Sequence, residues 1–322
     1  MQYLGETISL GVALSWTVTA LVAEVASKRI GPQVLNVWRM FLSLLLLGTT
    51  LWFVTGSVLP QYTDSITWIW LLASGVVGYV FGDFCLFNSY VYMGSRWGQL
   101  FMMLAPISAS ITAWLLLGET LSLQVTVGIV VTISGIAVSV LGKPEKSASG
   151  SDDSQKTDHR RLALKLSPRG VLYGIGAGVG QGIGLVLSKV GMNHYELCVP
   201  AGAHDVAEAV PFASTMMRAC AGLTGLLLIM VLKGEAHKLP KALKDAKGMM
   251  CTLVASFTGP FVGVSLSLMA LLYTSAGVAQ TLMSLTPILI LWPSHVLFHQ
   301  RITPIEIVGT VVSMVGVSLF FI

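Results

Sequence analysis

Four charged residues stand inside or at the edge of long apolar runs: Glu24, Arg39, Asp83 and Arg218. A charge in the middle of a membrane-spanning helix costs about 2.5–3.5 kcal/mol on insertion scales, so each one needs a partner, water or a task. Asp83, in "GYVFGDFCLFNSYVYMG", has no basic neighbour on its own helix. It suits a proton or a cationic group, or else an internal ion pair. Glu24 lies four residues before Lys28 on one helical face, where an i,i+4 pair is a sufficient structural reason for it and a proton site is the alternative. Gln181, Gln280 and His295 are neutral polar groups able to bind a substrate or to bond across to a neighbouring helix. Trp16, Tyr79, Trp114 and Trp292 offer aromatic walls, although a single Trp is commoner at the lipid interface. The candidate substrate site is therefore Trp16, Tyr79, Asp83, Trp114, Gln181, Gln280 and His295, with Asp83 and Glu24 as proton-coupling candidates. Arg39 and Arg218, each a few residues into its run, read as scaffold residues that reach the interface or tie down a neighbouring helix end.

The elements that must position these groups follow from composition. The chain is 54% hydrophobic and only 11% charged, with a mean hydropathy of +0.78, whereas about a quarter of the residues in a soluble domain are charged. This composition predicts an all-α integral membrane protein. Ten apolar runs long enough to cross a bilayer lie at 7–27, 33–55, 66–92, 97–117, 122–142, 170–190, 209–232, 249–273, 276–298 and 303–322. The period-2 alternation of a barrel strand is absent, so the backbone must be satisfied within helices. The opening "MQYLGE" carries no Lys or Arg, and the run behind it is too long for a signal-peptide core, which predicts a retained helix. Residues 143–169 are polar, Ser-rich and basic, a linker with too little apolar surface to pack. It reads as a solvated tether, and nothing in it supports nucleic-acid binding.

The two sides of that linker repeat each other. At an offset of 181, Gln99 meets Gln280, Pro106 meets Pro287, Gly78 meets Gly259, Gly82 meets Gly263, Gly128 meets Gly309 and Gly135 meets Gly316. Ser27-Lys28 answers Ser188-Lys189, and Arg39 answers Arg218 once 18 extra residues in the second half are allowed for. Residues 1–142 and 170–322 thus read as two repeats of five helices. An odd number of crossings turns the second copy upside down, the inverted-topology plan of many secondary transporters, with the substrate site near the midplane between the halves. Pro106 and Pro287, near the middle of their runs, are expected to act as cavity-lining hinges. Pro260 and Pro293 predict further breaks in the second half only.

The proline-containing fourth run ending in Gly118-Glu119, the following "GIVVTISGIAV", the Arg opening the second run and the duplication of five together resemble the EamA-type family of the drug/metabolite transporter superfamily. The resemblance covers nearly the whole chain, with one departure: His299-Gln300 stands where Gly118-Glu119 ends the first repeat. It implies a carrier that moves a small amino acid-like or drug-like metabolite by alternating access, without a bound cofactor or metal, as an exporter coupled to protons. A facilitative carrier with no ion coupling, or a membrane scaffold or sensor, is the alternative. In a related branch an essential Glu stands in a similar "AEV" of the first helix, about a turn from the place of Glu24. An enzyme is not expected, since no HExxH, nucleophile-with-base or phosphate-binding loop motif occurs.

Sixteen of the nineteen Lys and Arg fall in loops that follow odd-numbered runs, among them Lys28, Arg29, Arg96, the linker and the Lys-rich segment from Lys233 to Lys247. The positive-inside rule then puts the linker in the cytoplasm and both termini outside, in a multi-pass protein of the cell (inner) membrane. Relatives with this pattern are usually drawn with both termini inside. The 18 extra residues, within "GMNHYELCVPAGAHDVAEAVPF", read as a polar cap on the outer side. Their His194, Glu196, Cys198, His204, Asp205 and Glu208 match no standard metal spacing. Oligomeric state is not legible.

Overall fold

The computed structural model describes residues 3–118, 122–140, 166–273, 282–298 and 302–319. Gln280, Glu119, His299-Gln300, Arg301 and most of the linker lie outside the described residues. Among the described residues there are helices and turns and no strand. The long helices are α1 (Leu4–Ile30), α2 (Pro32–Thr55), α3 (Ser65–Met93), α4 (Ser95–Phe101 and Leu104–Leu117), α5 (Leu123–Val140), α6 (Pro168–Cys198), α7 (His204–Leu232) and α8 (Ala246–Ser256 continuing to Tyr273). They are followed by α9 (Thr286–Leu289 and Leu291–Phe298) and α10 (Pro304–Ser318). Among the described residues eight helices, α1 to α8, are long and apolar enough to cross a membrane, and α9 and α10 are shorter apolar helices.

Local chemistry sets the ends. Gly31 and Gly94 take φ of 91° and 86°, a region that excludes most side chains, and Pro32 then starts α2 without losing a needed N–H. The Asp64 and Asp245 carboxylates accept from Thr67 N and Gly248 N at 2.9 Å, capping α3 and α8. Thr303 and Glu306 form a reciprocal capping box on α10.

The repeat is visible in the packing. In the α5–α10 contact a Cβ on Gly135 would lie 2.6 Å from Gly309 O, and one on Gly316 would lie 2.9 Å from Gly128 O. Thr132 Oγ1 donates to Ser313 O at 3.4 Å, and Ser313 Oγ donates to Thr132 O at 3.2 Å. Each contact recurs with the roles of the repeat mates exchanged, the mark of a two-fold axis. Numbers fall along α10 as they rise along α5, so these mates run antiparallel. Another pair of mates, α2 and α7, also packs together, while α1 lies along α8 and α6 along α3, so that each half lends its first helix to the other.

The expected breaks are found, but displaced. In α4 the helix is interrupted at Met102 and Met103, and in α9 at Ser284 and Leu285. Pro106 and Pro287 therefore sit in the first turn after each break, where a missing N–H is harmless, and not at the centre of a continuous helix. A second pair of breaks had no proline signature in the first half. Residues Val76–Asp83 of α3 and Phe257–Val264 of α8 are both π-helical, eight residues each and separated by the repeat offset. Pro260 lies in the second, but its mate in the first is Tyr79, so the expectation of a break in the second half alone is corrected here. Proline is not required for it. The additional break of α9 at Ile290, before Pro293, does belong to the second half, because Leu104–Leu117 is continuous at the mate position.

The 18 extra residues, expected to form a polar cap, are largely helical. Residues up to Cys198 extend α6, His204 begins α7, and only a short turn separates them. Ion pairs confirm that alternate loops share a face: Arg29 Nη2 meets Asp245 Oδ1 at 2.8 Å between the loops after α1 and α7. On the other face His194 Nε2 meets Asp64 Oδ2 at 2.9 Å. Hydrogen bonds from Arg29 hold the Asp245 carboxyl below its usual range.

Candidate functional site

Asp83 is the last residue of the first π-segment and is 4% exposed. Arg39 Nη2 donates to its Oδ2 and, at 3.2 Å, to Asn36 Oδ1, while Gln181 Nε2 donates to Asp83 Oδ1 at 2.7 Å. Of the expected alternatives for Asp83, the internal ion pair is present in this structure, and its partner is Arg39. Arg39 does not reach the interface: it is 5% exposed, with its guanidinium over the Phe87 ring at 4.7 Å. Its mate Arg218 is buried in the middle of α7 and stacks on Tyr79 at 4.8 Å. The interfacial reading of both arginines is corrected accordingly.

Two features bring these groups together. A π-turn shifts backbone pairing by one residue and leaves carbonyls for outside donors. Gly78 O accepts from Gln181 Nε2 at 3.2 Å, and Thr258 O of the second π-segment accepts from Ser15 Oγ at 2.7 Å. The other feature is the glycine run "GIGAGVGQGIG" of α6, residues 174–184. A Cβ at Gly182 would lie 1.9 Å from Ser108 Oγ of α4, and one at Gly180 would lie 2.8 Å from Gly82 Cα of α3. Only glycines let α6 wedge between α3 and α4 closely enough for Gln181 to reach Asp83. This run was a signal available in the sequence.

The cluster joins both halves. Arg39 and Asp83 come from the first, Gln181 and Arg218 from the second, and a Cβ on Gly259 of the second π-segment would lie 3.4 Å from Arg39 Nη1. It also holds unused donors: Arg39 Nε, Asn36 Nδ2, Tyr79 Oη and Arg218 Nε have no hydrogen-bond partner among the described residues. A buried donor without a partner costs about 1–3 kcal/mol, which a ligand able to accept would recover.

The other expected site residues divide. Tyr79 is 2% exposed and belongs to the cluster. Trp16 is half-buried and faces the second π-segment, with its indole nitrogen 2.6 Å from where a Gly263 Cβ would stand. Trp114 and Trp292 are 50% and 74% exposed, and His295 is exposed, so the structure does not bring these three to Asp83. Gln280 lies outside the described residues. Glu24 is fully buried and uses both oxygens, accepting from Lys28 Nζ at 2.5 Å and from Ser95 N at 2.6 Å, where it caps α4. Sequence reasoning missed another buried ion pair, this one joining the two halves, Arg96 Nη1 with Glu306 Oε2 at 3.4 Å. The capping pattern "TPIE" marked Glu306 as structured, but nothing local named Arg96 as its partner.

The model of the EamA-like transporter family matches residues 3–141 and 168–322. Among solved structures, the crystal structure of a protein 14% identical in sequence aligns over 99% of this chain and 96% of its own, with a TM-score of 0.61, and so shares the fold. The comparison with curated proteins gave no match.

Proposed function

Since this multi-pass membrane protein belongs to the EamA-like transporter family, we propose that it is a secondary carrier that exports a small amino acid-like metabolite in exchange for protons. Residues 1–142 and 170–322 are its two inverted repeats of five helices, joined by the linker 143–169, and they rock against each other about the Arg39–Asp83 cluster. The observation that carries this reading is the sealed Arg39–Asp83–Gln181 network, built from both halves between two matching π-segments. A zwitterion can open that pair by giving its carboxylate to Arg39 and its ammonium to Asp83. The spare donors on Arg39, Tyr79 and Arg218 would receive the remaining acceptor atoms. An ammonium group and a proton cannot occupy one carboxylate together, so Asp83 exchanges one for the other. Exchange driven by an inward proton gradient is export. The antiparallel α5–α10 contact supports the inverted arrangement.

The test uses proteoliposomes loaded with amino acids, organic acids or organic cations under an imposed pH gradient. Asp83→Asn should abolish gradient-driven flux of the zwitterion while substrate exchange at equal pH persists at weaker affinity, because the amide oxygen still accepts from the ammonium but carries no charge. Glu24→Gln should leave coupling intact, because Glu24 serves Lys28 and Ser95. Full coupling in Asp83→Asn would remove Asp83 from the role, and normal flux with no gradient dependence in the wild type would make the protein a facilitative carrier. For topology, a cysteine placed in the linker should be shielded from an impermeant thiol reagent in intact cells, and one at the N-terminus should react. The reverse labelling would put both termini inside.

A further inference from the structure

The far end of α6 carries two metal-type ligands that the transport reading does not use. His194 and Cys198 are four residues apart and therefore share one face of the helix. α6 has 31 residues, about 46 Å of helix against a hydrocarbon core of about 30 Å, and its last two turns follow the apolar run 170–190. Across from them lies Asp64, from a segment 130 residues away, with Oδ2 at 2.9 Å from His194 Nε2. Its Oδ1 is held by Thr67 N, which fixes the carboxylate in the α3 cap. The backbone on either side is firm. Tyr195, between the two α6 ligands, is fully buried beside Leu47, Leu71 and Met192 and donates from Oη to Gln61 O at 2.8 Å.

One ligand atom from each of Asp64, His194 and Cys198 lies within 4.8 Å of the other two. Bonds of about 2.0–2.3 Å in a tetrahedral zinc site put ligand atoms about 3.3–3.7 Å apart, so side-chain rotation of about 1 Å closes the set. We propose that these three residues bind a divalent cation of borderline softness, zinc in type, and that the bound ion clamps the end of α6 to the segment before α3. A hard cation such as calcium or magnesium would not choose a thiol and an imidazole, and a purely soft one would not choose the carboxylate. The fourth position is left to water. The residues within the α6–α7 stretch have no metal spacing of their own because the third ligand comes from the other half of the chain. The ion would join the two halves on the face opposite the Arg29–Asp245 pair.

The experiment takes the full-length protein in detergent, stripped with a chelator and titrated with cobalt(II) and then zinc(II). The wild type should take up one equivalent, show a thiolate-to-cobalt charge-transfer band that zinc bleaches, and rise in Tm with zinc. Cys198→Ser should lose the band and His194→Asn should weaken zinc at least about tenfold, both while keeping the wild-type elution volume and metal-free Tm. Cys220→Ser, remote from the site, should keep the band. No band in the wild type, a band that survives in Cys198→Ser, or an unchanged Tm with zinc would each overturn the site and leave Asp64 and His194 as a plain hydrogen-bonded pair.

Discussion

The two π-segments, Val76–Asp83 and Phe257–Val264, occupy mate positions and share glycines at matching places, yet one ends in a buried acid and the other in valine. Everything they have in common concerns backbone: freed carbonyls, close helix approach, a local loosening of the helix. What differs is chemistry. Asp83 collects Arg39 and Gln181, whereas the second segment is met by Trp16 and by the hydroxyls of Ser15 and Thr19. Duplication supplies a symmetric pair of π-segments, and a single asymmetric residue gives one copy a buried charge. Tyr79, standing where the second repeat has Pro260, makes the same point, since the break forms with or without proline and both segments pack closely around Gly78, Gly82, Gly259 and Gly263.

The comparison breaks most visibly if the two ends are made alike. Asp83→Val should destabilise the protein by about 3–5 kcal/mol, because it leaves Arg39 buried without its anion, and should eliminate transport. Val264→Ala, the matching change in the other segment, should shift Tm by far less. Comparable losses in thermal unfolding would mean that the acid is not what distinguishes the segments. A smaller effect separates the glycines. At Gly263 a Cβ would lie 2.6 Å from the Trp16 indole nitrogen and 2.7 Å from Thr258 O, but at Gly82 the nearest atom, Gln181 Nε2, is 3.2 Å away. Gly263→Ala should therefore cost about 1–3 kcal/mol by overpacking and Gly82→Ala less, an order that denaturation midpoints would reverse if the second segment were the looser one. Smallest of all is Pro260→Ala. With Tyr79 as precedent, the π-turn should persist and stability should change by less than about 1 kcal/mol. Strong new hydrogen-exchange protection across Phe257–Val264 would show that proline, not packing, holds the break.

Much of this is legible in the sequence. Offsets of 181 between glycines and prolines announced the repeat, and Pro106 and Pro287 announced breaks in α4 and α9, which fall a few residues before them. The π-segments were missed because their signature is a pair of glycines four residues apart, which membrane helices also use for ordinary packing. Glu24 was readable because its partner Lys28 lies one turn away. Asp83 was not, since Arg39 and Gln181 lie 44 and 98 residues from it.

By itself, then, the sequence determined the solvent, the helices, the duplication and the places where helices yield, because hydropathy and glycine or proline content act locally or repeat at a fixed interval. Which polar side chains from distant parts of the chain meet was settled by the packing. It set Arg39 against Asp83, Arg96 against Glu306 and Asp64 against His194, and turned Trp114 and Trp292 outward. Those outcomes depend on how closely α6 wedges between α3 and α4 and on how the two halves exchange their first helices. A buried charge takes whichever opposite charge that packing brings within a few ångströms, whatever the distance along the chain.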